Sequence, residues 1–142
     1  MGILIDSSIL IHAEGVGSDL ADHIRGREDE DAFISVISAS ELLHGVHRAA
    51  DAETRAKRLA FVEGVLAAIP VLDIDLATAR SHAQLWADLS RRGIMIGVHD
   101  SWLAATCLAH GLSLATGNVR EFERVPGLEL EPWVGMQRGV RG

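Results

Sequence analysis

The sequence has too few cysteines for a protein held by internal disulfides and too few basic residues for a general nucleic-acid coat. Cys107 is the only cysteine, so no disulfide can form within the chain, and we expect a reducing compartment, the cytoplasm. Lys57 is the only lysine, and 20 acidic against 13 basic side chains give a formal net charge of −7. A chain this acidic is not a general nucleic-acid coat, which needs many phosphate-neutralising cations. Any action on nucleic acid would be local, with bound cations supplying the positive charge.

Long apolar runs are also missing. The longest uncharged stretch, residues 101–119, is interrupted by His110, Gly111 and Gly117, and we interpret it as a helix, a turn and a strand rather than a membrane span. No basic segment at the N-terminus predicts a signal peptide. The 142 residues suffice for a single domain, which we place at residues 1–134, followed by a Gly- and Arg-rich tail at 135–142 that we expect to fray.

Apolar runs and helical periodicities alternate along the chain. Strands are predicted at residues 3–6, 33–37, 71–74, 112–115 and 128–131, and an acidic run at 28–31 is predicted to be a solvated loop. Helices are predicted at residues 7–13, 19–27, 38–50, 53–68, 76–92, 100–109 and 119–123. The helix at 76–92 has a predicted apolar face formed by Leu76, Ala79, Ala83, Trp86 and Leu89. This alternation indicates an α/β fold with a mainly parallel central sheet of four to five strands flanked by helices.

Polar side chains follow the predicted strands where those strands end. Asp6 ends the first run and Glu41 follows the second. Asp100 opens a long apolar helix, and Thr116 and Asn118 follow the fourth run. In a parallel sheet these ends share one edge, where such folds place their sites. Three carboxylates that converge there without a lysine would form a pocket for a hard divalent cation such as Mg²⁺ or Mn²⁺.

Metal-bound carboxylates suit the hydrolysis of phosphodiester bonds. That reaction needs a water converted to hydroxide and a neutralised phosphate, and divalent ions supply both. Mg²⁺ keeps several of its waters, so few protein ligands are required. The hydroxyls of Ser7 and Thr116 could orient those waters, and Asn118 would add a neutral oxygen in place of a fourth acid.

Each acid also has a structural explanation. Ser38 and Glu41 have the spacing of a capping box, in which the glutamate bonds back to the first residue's amide. Asp100 stands at a helix start, where an acid favours the helix dipole. Asp6 is harder to explain in this way, because an acid at the end of a buried strand is costly unless it is used. Three such positions on one edge of the sheet favour a functional site over three unrelated helix caps.

Two weaker patterns accompany the acids. Glu41, His44 and His47 lie on adjacent helical turns, but their spacing is not that of the His-Glu-x-x-His zinc pattern, so exposed histidines are the simpler interpretation. Three arginines are candidates for contacts with RNA phosphates, with ordinary solvated side chains as the equal alternative: Arg91, Arg92 and Arg120.

Two other functions compete with the metal-nuclease hypothesis. A phosphoryl-transfer hydrolase would use Asp6 as its nucleophile, but that chemistry usually needs a second acid at position 8, which is Ser8, and a nearby lysine. A non-catalytic interaction module would use its acids only to cap helices. Unchanged biological activity in variants that lack the acids would favour the second alternative.

The motifs resemble those of a known family. The chain is similar to PIN-domain ribonucleases, and specifically to the VapC toxins of VapBC type II toxin–antitoxin systems. The similarity runs nearly end to end and is carried by residues 4–8, 40–45, 96–105, 109–111, 116–122 and 125–128. Its most specific part is Ile96-Gly97-x-x-Asp100-x-x-Leu103-Ala104-Ala105, which continues to Thr116-x-Asn118.

The resemblance implies a PIN-like three-layer sandwich, a homodimer, and Mg²⁺- or Mn²⁺-dependent cleavage of structured RNA, often transfer RNA. It implies that Asp6, Glu41 and Asp100 bind the metal, and that Thr116 and Asn118 match the fourth site position, an aspartate in many relatives. It also implies a small cognate VapB-type antitoxin that occludes the site in a toxin–antitoxin hetero-oligomer. The alternative within this fold is a catalytically degenerate PIN-like protein-interaction module.

Overall fold

The structure is a computed structural model that describes residues 2–15 and 31–131. Within these ranges the strands are β1 (Gly2–Ile5), β2 (Asp31–Ser35), β3 (Val71–Leu72), β4 (Leu112–Ala115) and β5 (Leu130–Glu131). The helices are α1 (Ser7–Gly15), α2 (Val36–His47), α3 (Ala52–Ala68), α4 (Leu76–Arg91), α5 (Val98–His110) and α6 (Val119–Phe122). The helix predicted at 19–27, residues 28–30 of the acidic run, the domain boundary at 134 and the tail at 135–142 lie outside the described residues.

The five strands form one parallel sheet with β1 at its centre. The strand order is β3-β2-β1-β4-β5, and each neighbouring pair is parallel. Ile5 pairs with Ala115, and the N–H of Asp6 donates a hydrogen bond to the Ala115 carbonyl at 2.9 Å. The α/β prediction is therefore confirmed, and β1 and β4 end level with each other. Asp6 and Thr116 follow those ends.

Helices cover both faces of the sheet, which is why its central strand is apolar at every position. Successive side chains of β1 point to opposite faces. Ile3 and Ile5 join a core cluster with residues of α1, α2 and α3. Leu4 joins a second cluster with residues of α4 and α5. The result is a three-layer sandwich, and no helix within the described ranges has the length and apolarity needed to cross a bilayer.

The junction of β2 and α2 lies two residues earlier than the sequence predicts. The predicted strand at 33–37 ends instead at Ser35, and the helix starts at Val36 rather than at residue 38. Ser35 is the N-cap of α2, because its hydroxyl accepts a hydrogen bond from the Ile37 amide at 3.0 Å. Asp31, predicted to lie in a loop, is the first residue of β2. A side-chain cap therefore overrides the apolar, β-branched residues that follow it.

The buried face of α4 also differs from the prediction. Leu76 and Trp86 are 67% and 66% exposed, and Ala83 is exposed as well. The buried residues of the helix are Thr78, Leu85 and Leu89, so Leu89 is the one member of the predicted face that is fully buried. The predicted N-cap, Asp75, is confirmed by its hydrogen bond from the Thr78 amide at 2.8 Å. The prediction is wrong at Leu76, Ala83 and Trp86, and Trp86 instead lies against the His82 ring.

Candidate active site

Asp6 is the most firmly held side chain at the carboxyl edge of the sheet. It is only 5% exposed. Its Oδ2 accepts hydrogen bonds from the hydroxyls of Thr116 at 2.7 Å and Ser8 at 3.0 Å, and the Ser7 hydroxyl lies 3.4 Å from Oδ1. These donors satisfy the carboxylate that the end of a buried strand would otherwise leave unpaired. They also fix its orientation relative to the edge.

Ser7 connects Asp6 to the second acid. Its hydroxyl lies 3.4 Å from Asp6 Oδ1 and 3.3 Å from Glu41 Oε1, on α2. A hydroxyl has a single proton, so it can donate to only one of these carboxylates at a time. The Asp6 and Glu41 carboxylates thus share this one weak donor. On its other side Glu41 faces His99, whose Nδ1 is 3.5 Å from Glu41 Oε2.

Asp100 lies in the first turn of α5 and experiences the charge of the other acids. Burial raises its pKa from 3.8 to about 6, and the negative charges of Asp6, Glu121 and Glu41 add to this effect. His99 acts in the opposite direction. Asp6, Glu41 and Asp100 come from three separate elements. The structure brings Asp6 and Glu41 close enough to Asp100 for their charges to act on it. Several carboxylates close together favour the protonation of one of them.

The loop after β4 reinforces Asp6 rather than adding another charge. Thr116 is buried, and its Oγ1 accepts a hydrogen bond from the Asn118 amide at 3.0 Å while donating to Asp6. The Gly117 amide donates to the Ser8 hydroxyl at 3.0 Å. Asn118 itself is exposed and begins α6 without a side-chain capping bond.

The capping explanation for Glu41 is wrong. The cap of α2 is Ser35, so Glu41 lies in the second turn of that helix, beyond the reach of a capping box. Asp100 does occupy the first turn of α5, where an acid favours the helix dipole. The N-cap of α5 is Gly97, however, and Asp100 makes no capping bond to it. Capping therefore does not account for the position of Glu41, whereas the helix dipole is a structural explanation for Asp100 that its position in α5 fits.

Two charged residues near Asp100 were not predicted from the sequence. Glu121 Oε1 accepts a hydrogen bond from the Gly97 amide at 3.1 Å. Arg124 donates through Nη2 to Glu121 Oε2 at 2.9 Å and to the Met95 carbonyl at 2.7 Å. The contacts with Gly97 and Met95 each cross more than twenty residues of sequence, so no local spacing could have revealed them.

The acids do not enclose an ion by themselves. Over residues 2–15 and 31–131, no group of three or more His, Cys, Asp or Glu side chains is arranged so that it could hold a metal ion. This holds for Glu41, His44 and His47, so nothing supports a zinc site there. An ion between Asp6, Glu41 and Asp100 would therefore keep part of its water shell, as Mg²⁺ does in most proteins.

The predicted RNA-contacting arginines fall into two groups. Arg91 and Arg92, at the end of α4, lie 3.9 Å and 3.3 Å from Asp88 Oδ1 on their own helix. Arg120 is exposed on α6, two residues after Asn118. Arg120 is thus the better placed of the three for a contact with a substrate at this edge.

Comparison with known proteins assigns this arrangement to a family. The PIN-domain family matches residues 3–128. Ribonuclease VapC1 of Rickettsia felis is 39% identical over 92% of this chain and 95% of its own length. The chain belongs to the VapC family of PIN-domain ribonucleases. The resemblance seen in the motifs is thereby confirmed.

Further VapC proteins agree in sequence and in structure. The tRNA(fMet)-specific endonuclease VapC of Salmonella typhimurium is 36% identical over 79% of this chain and 85% of its own length. The crystal structure of DNA-bound VapBC from Salmonella typhimurium superposes with a TM-score of 0.82, at 31% identity over 94% of this chain and 98% of that one. The PIN-like three-layer sandwich inferred from the sequence is therefore correct.

Proposed function

We propose that this chain is the ribonuclease toxin of a type II toxin–antitoxin pair, and that it hydrolyses phosphodiester bonds in structured RNA with a divalent metal ion bound at Asp6, Glu41 and Asp100. The observation that carries the proposal is the meeting of three carboxylates from β1, α2 and α5 at one sheet edge. Burial raises the pKa of Asp100, and the charges of the neighbouring acids raise it further. A divalent cation at this edge would offset those charges.

The donor set fits Mg²⁺ or Mn²⁺. It consists of carboxylate oxygens with hydroxyls around them, which are the ligands these ions prefer. The Ser7 hydroxyl has one proton between Asp6 Oδ1 and Glu41 Oε1, so a cation would offset the charge of two neighbouring carboxylates more fully than this donor can. Among the described residues, neither lysine nor arginine makes an ion pair with Asp6, Glu41 or Asp100. When bound, the ion would supply an activated water and charge neutralisation at the phosphate.

The side chains of the chain have separate tasks in this proposal. Asp6 offers a fixed carboxylate, because the hydroxyls of Ser8 and Thr116 hold it in position. Glu41 and Asp100 approach from two helices and are free to adjust. Asn118 adds a neutral oxygen at the rim. The site thus combines one rigid ligand with two adaptable ones, which suits a substrate whose phosphate must displace bound water.

The substrate and the partner are proposed from the relatives. A relative at 36% identity is named for its specificity for tRNA(fMet), so we propose transfer RNA or another translation-related RNA as the target. Related VapC chains have been crystallised as VapBC complexes on DNA, which supports a VapB-type antitoxin as the partner of this chain. We also propose that the toxin is a homodimer within that hetero-oligomer. Arg120 is proposed to contact the RNA backbone, and Arg91 and Arg92 are weaker candidates because they pair with Asp88.

Cleavage of total cellular RNA by antitoxin-free protein tests the proposal. Reactions would contain Mg²⁺, Mn²⁺ or chelator, with Asp6→Asn as the test variant and Asp73→Asn as an exposed-acid control. We expect discrete fragments from the wild type and the control, lost with chelator and with Asp6→Asn. Equal cleavage by the wild type and Asp6→Asn would contradict the site. No cleavage of total RNA or of purified tRNA would favour the interaction module.

A further inference from the structure

His82, on α4, contacts both of the residues that follow Asp100 in α5. Its Nε2 lies 3.0 Å from the hydroxyl oxygen of Ser101. Its ring stacks on the ring of Trp102, with the centroids 3.7 Å apart and an angle of 5° between the planes. A side chain of the neighbouring helix thus holds the first turn of α5, in which the proposed metal ligand Asp100 lies.

The hydrogen bond between His82 and Ser101 has a defined direction. The Ser101 hydroxyl donates its only proton to the Val98 carbonyl at 2.6 Å. Because that proton is used, the Ser101 oxygen accepts from His82, and Nε2 of His82 carries the hydrogen. Burial lowers the pKa of His82 from 6.5, so the neutral ring with this single N–H is the form favoured at pH 7. His82 is therefore the donor, and Ser101 connects it to the backbone of the turn.

The first turn of α5 has little support from its own side chains. Its N-cap is Gly97, which makes no side-chain capping bond. The backbone bond that closes the turn runs from the Ser101 amide to the Gly97 carbonyl at 2.9 Å, at a helix end, where fraying begins. No described residue donates a hydrogen bond to the Asp100 carboxylate. The direction of this side chain therefore depends on where the backbone of the turn lies.

We infer that His82 is a positioning residue for Asp100, because it fixes from the α4 side the helical turn that presents this carboxylate to the other acids. Successive residues of an α-helix point about 100° apart, so a turn can be held on one side while it presents a ligand on another. The charges of Asp6 and Glu41 act on Asp100, which places its carboxylate toward the sheet edge. The inference rests on the proposed function, because it gives His82 a task at the same site, without contact with metal or RNA.

His110 supplies a matched control, because it joins the same two helices at the other end of α5. Its Nε2 lies 3.2 Å from Asp75 Oδ2 and 3.3 Å from Thr78 Oγ1, at the start of α4. If His82 served only to pack α4 against α5, loss of either histidine would have the same kind of effect. A positioning role predicts that only the loss of His82 alters the metal site.

Four variants separate the hydrogen bond from the stack and from general packing. His82→Phe keeps an aromatic ring for Trp102 but has no N–H, whereas His82→Gln keeps an N–H near the position of Nε2 without the ring. Ser101→Ala removes the acceptor, and His110→Phe is the control. Three readouts apply to each: Mn²⁺ affinity by calorimetry, RNA cleavage with kcat and KM separated, and hydrogen exchange of the amide at position 101 by NMR. This exchange reports whether the first turn of α5 is closed, whether or not the protein is active.

We expect His82→Phe and Ser101→Ala each to lower Mn²⁺ affinity and kcat by about tenfold, the lower end of the range for residues that orient metal ligands, with KM nearly unchanged. The amide at position 101 should exchange about fivefold faster in both, the effect of one lost hydrogen bond of ordinary strength. The double variant should be no worse than either single one, because both remove the same bond. His82→Gln should recover most of these losses, and His110→Phe should match the wild type in Mn²⁺ affinity and cleavage.

Two results would overturn the inference. Wild-type Mn²⁺ affinity and kcat in His82→Phe would show that His82 only packs the helices together. Equal losses of Mn²⁺ affinity in His82→Phe and His110→Phe would show a general effect of α4 on α5. Failure of the proposed function is a different result, because the wild type would then neither bind Mn²⁺ nor cleave RNA. In that case unchanged exchange at position 101 in His82→Phe would overturn the inference as well, and faster exchange would support the hold of His82 on this turn.

Discussion

Asp6 and Asp100 belong to the same candidate site but are held in opposite ways. Asp6 is 5% exposed and surrounded by three hydroxyls, two of them at 2.7 Å and 3.0 Å from Oδ2. Asp100 is more exposed, and no described residue donates a hydrogen bond to its carboxylate. Hydrogen bonds to a carboxylate favour its ionised form, whereas burial and neighbouring anions disfavour it. Asp6 is therefore held by hydrogen bonds, whereas burial and acidic neighbours raise the pKa of Asp100 to about 6.

This difference explains how three acids can lie at one edge of the folded protein. The rigid half of the site is Asp6 at the ends of β1 and β4, held by hydrogen bonds from three hydroxyls. The adjustable half consists of Glu41 on α2 and Asp100 on α5. Repulsion among the acids acts mainly on this half, so a cation should stabilise it most. Substitutions in the two halves should accordingly affect activity and stability in different proportions.

The largest effect is expected from Asp6→Asn. Loss of the fixed carboxylate should reduce RNA cleavage by more than about 100-fold, the upper end of the range for residues that only orient metal ligands. Initial rates on an end-labelled RNA substrate at saturating Mg²⁺ would measure it. Asp73→Asn, an exposed acid away from the edge, should stay within twofold of the wild type, a margin of about 0.4 kcal/mol. A loss of less than about tenfold would show that Asp6 is not a metal ligand.

Thr116→Val should have an intermediate effect on cleavage. It removes the shortest hydrogen bond to Asp6 but no charge, so we expect a loss of about 10–100-fold. Thr116→Ser restores a hydroxyl and should recover most of the rate. Thr106→Val is the matched control, because its hydroxyl is also buried but bonds the Trp102 carbonyl within α5. If Thr106→Val and Thr116→Val were equally impaired, general destabilisation would account for both.

Asp100→Asn should abolish cleavage and yet stabilise the metal-free protein at pH 7. Because folding raises the pKa of Asp100 from 3.8 to about 6, this carboxyl contributes stability below about pH 4 and loses that contribution as the pH rises through 6. Removal of the charge should gain roughly 1–2 kcal/mol at pH 7 after solvent screening, more than the helix dipole loses.

Urea unfolding of both proteins in chelator, from pH 4 to 8, measures this difference. The advantage of Asp100→Asn should shrink toward zero as the pH falls to 4, because wild-type Asp100 is then protonated as well. A variant less stable than the wild type at pH 7 would show that Asp100 acts mainly on the helix dipole.

The smallest effect is expected at Ser38 on α2, one turn before Glu41. Its hydroxyl is fully buried and has no hydrogen-bond partner among the described residues. Ser38→Ala removes an unsatisfied group, so the free energy of unfolding should rise by about 1 kcal/mol. Ser35→Ala, equally buried but serving as the cap of α2, should lower it by about 1 kcal/mol. Thermal unfolding with chelator compares the pair, and changes of the same sign would refute this distinction.

The sequence predicts the rigid half of the site better than the adjustable half. Asp6 and Thr116 were found because a buried apolar run has a visible end, and parallel strands bring such ends together. The position of Glu41 was predicted, but its helix was placed two residues late, since the Ser35 cap outweighed the strand-like Val36 and Ile37. That error is what made Glu41 resemble a capping residue.

Glu121 and Arg124 show where prediction from sequence ends. In the sequence they resemble an ordinary surface ion pair three residues apart. Their importance comes from contacts with Gly97 and Met95, which only the packing of α6 against the loop before α5 creates. The α4 face failed for a similar reason, because Trp86 turns outward against His82, which itself stacks on Trp102 at 3.7 Å. Tertiary packing decided both cases.

Calorimetric titration of Mn²⁺ into the metal-free wild type, Asp6→Asn, Asp100→Asn and Asp73→Asn tests the central claim most directly. The claim is that Asp6 and Asp100, held so differently, bind one ion together. We predict saturable binding to the wild type and to Asp73→Asn, and a loss of affinity of more than about tenfold in each of the other two, since each removes a ligand. Binding to Asp6→Asn or Asp100→Asn with wild-type affinity would contradict the claim.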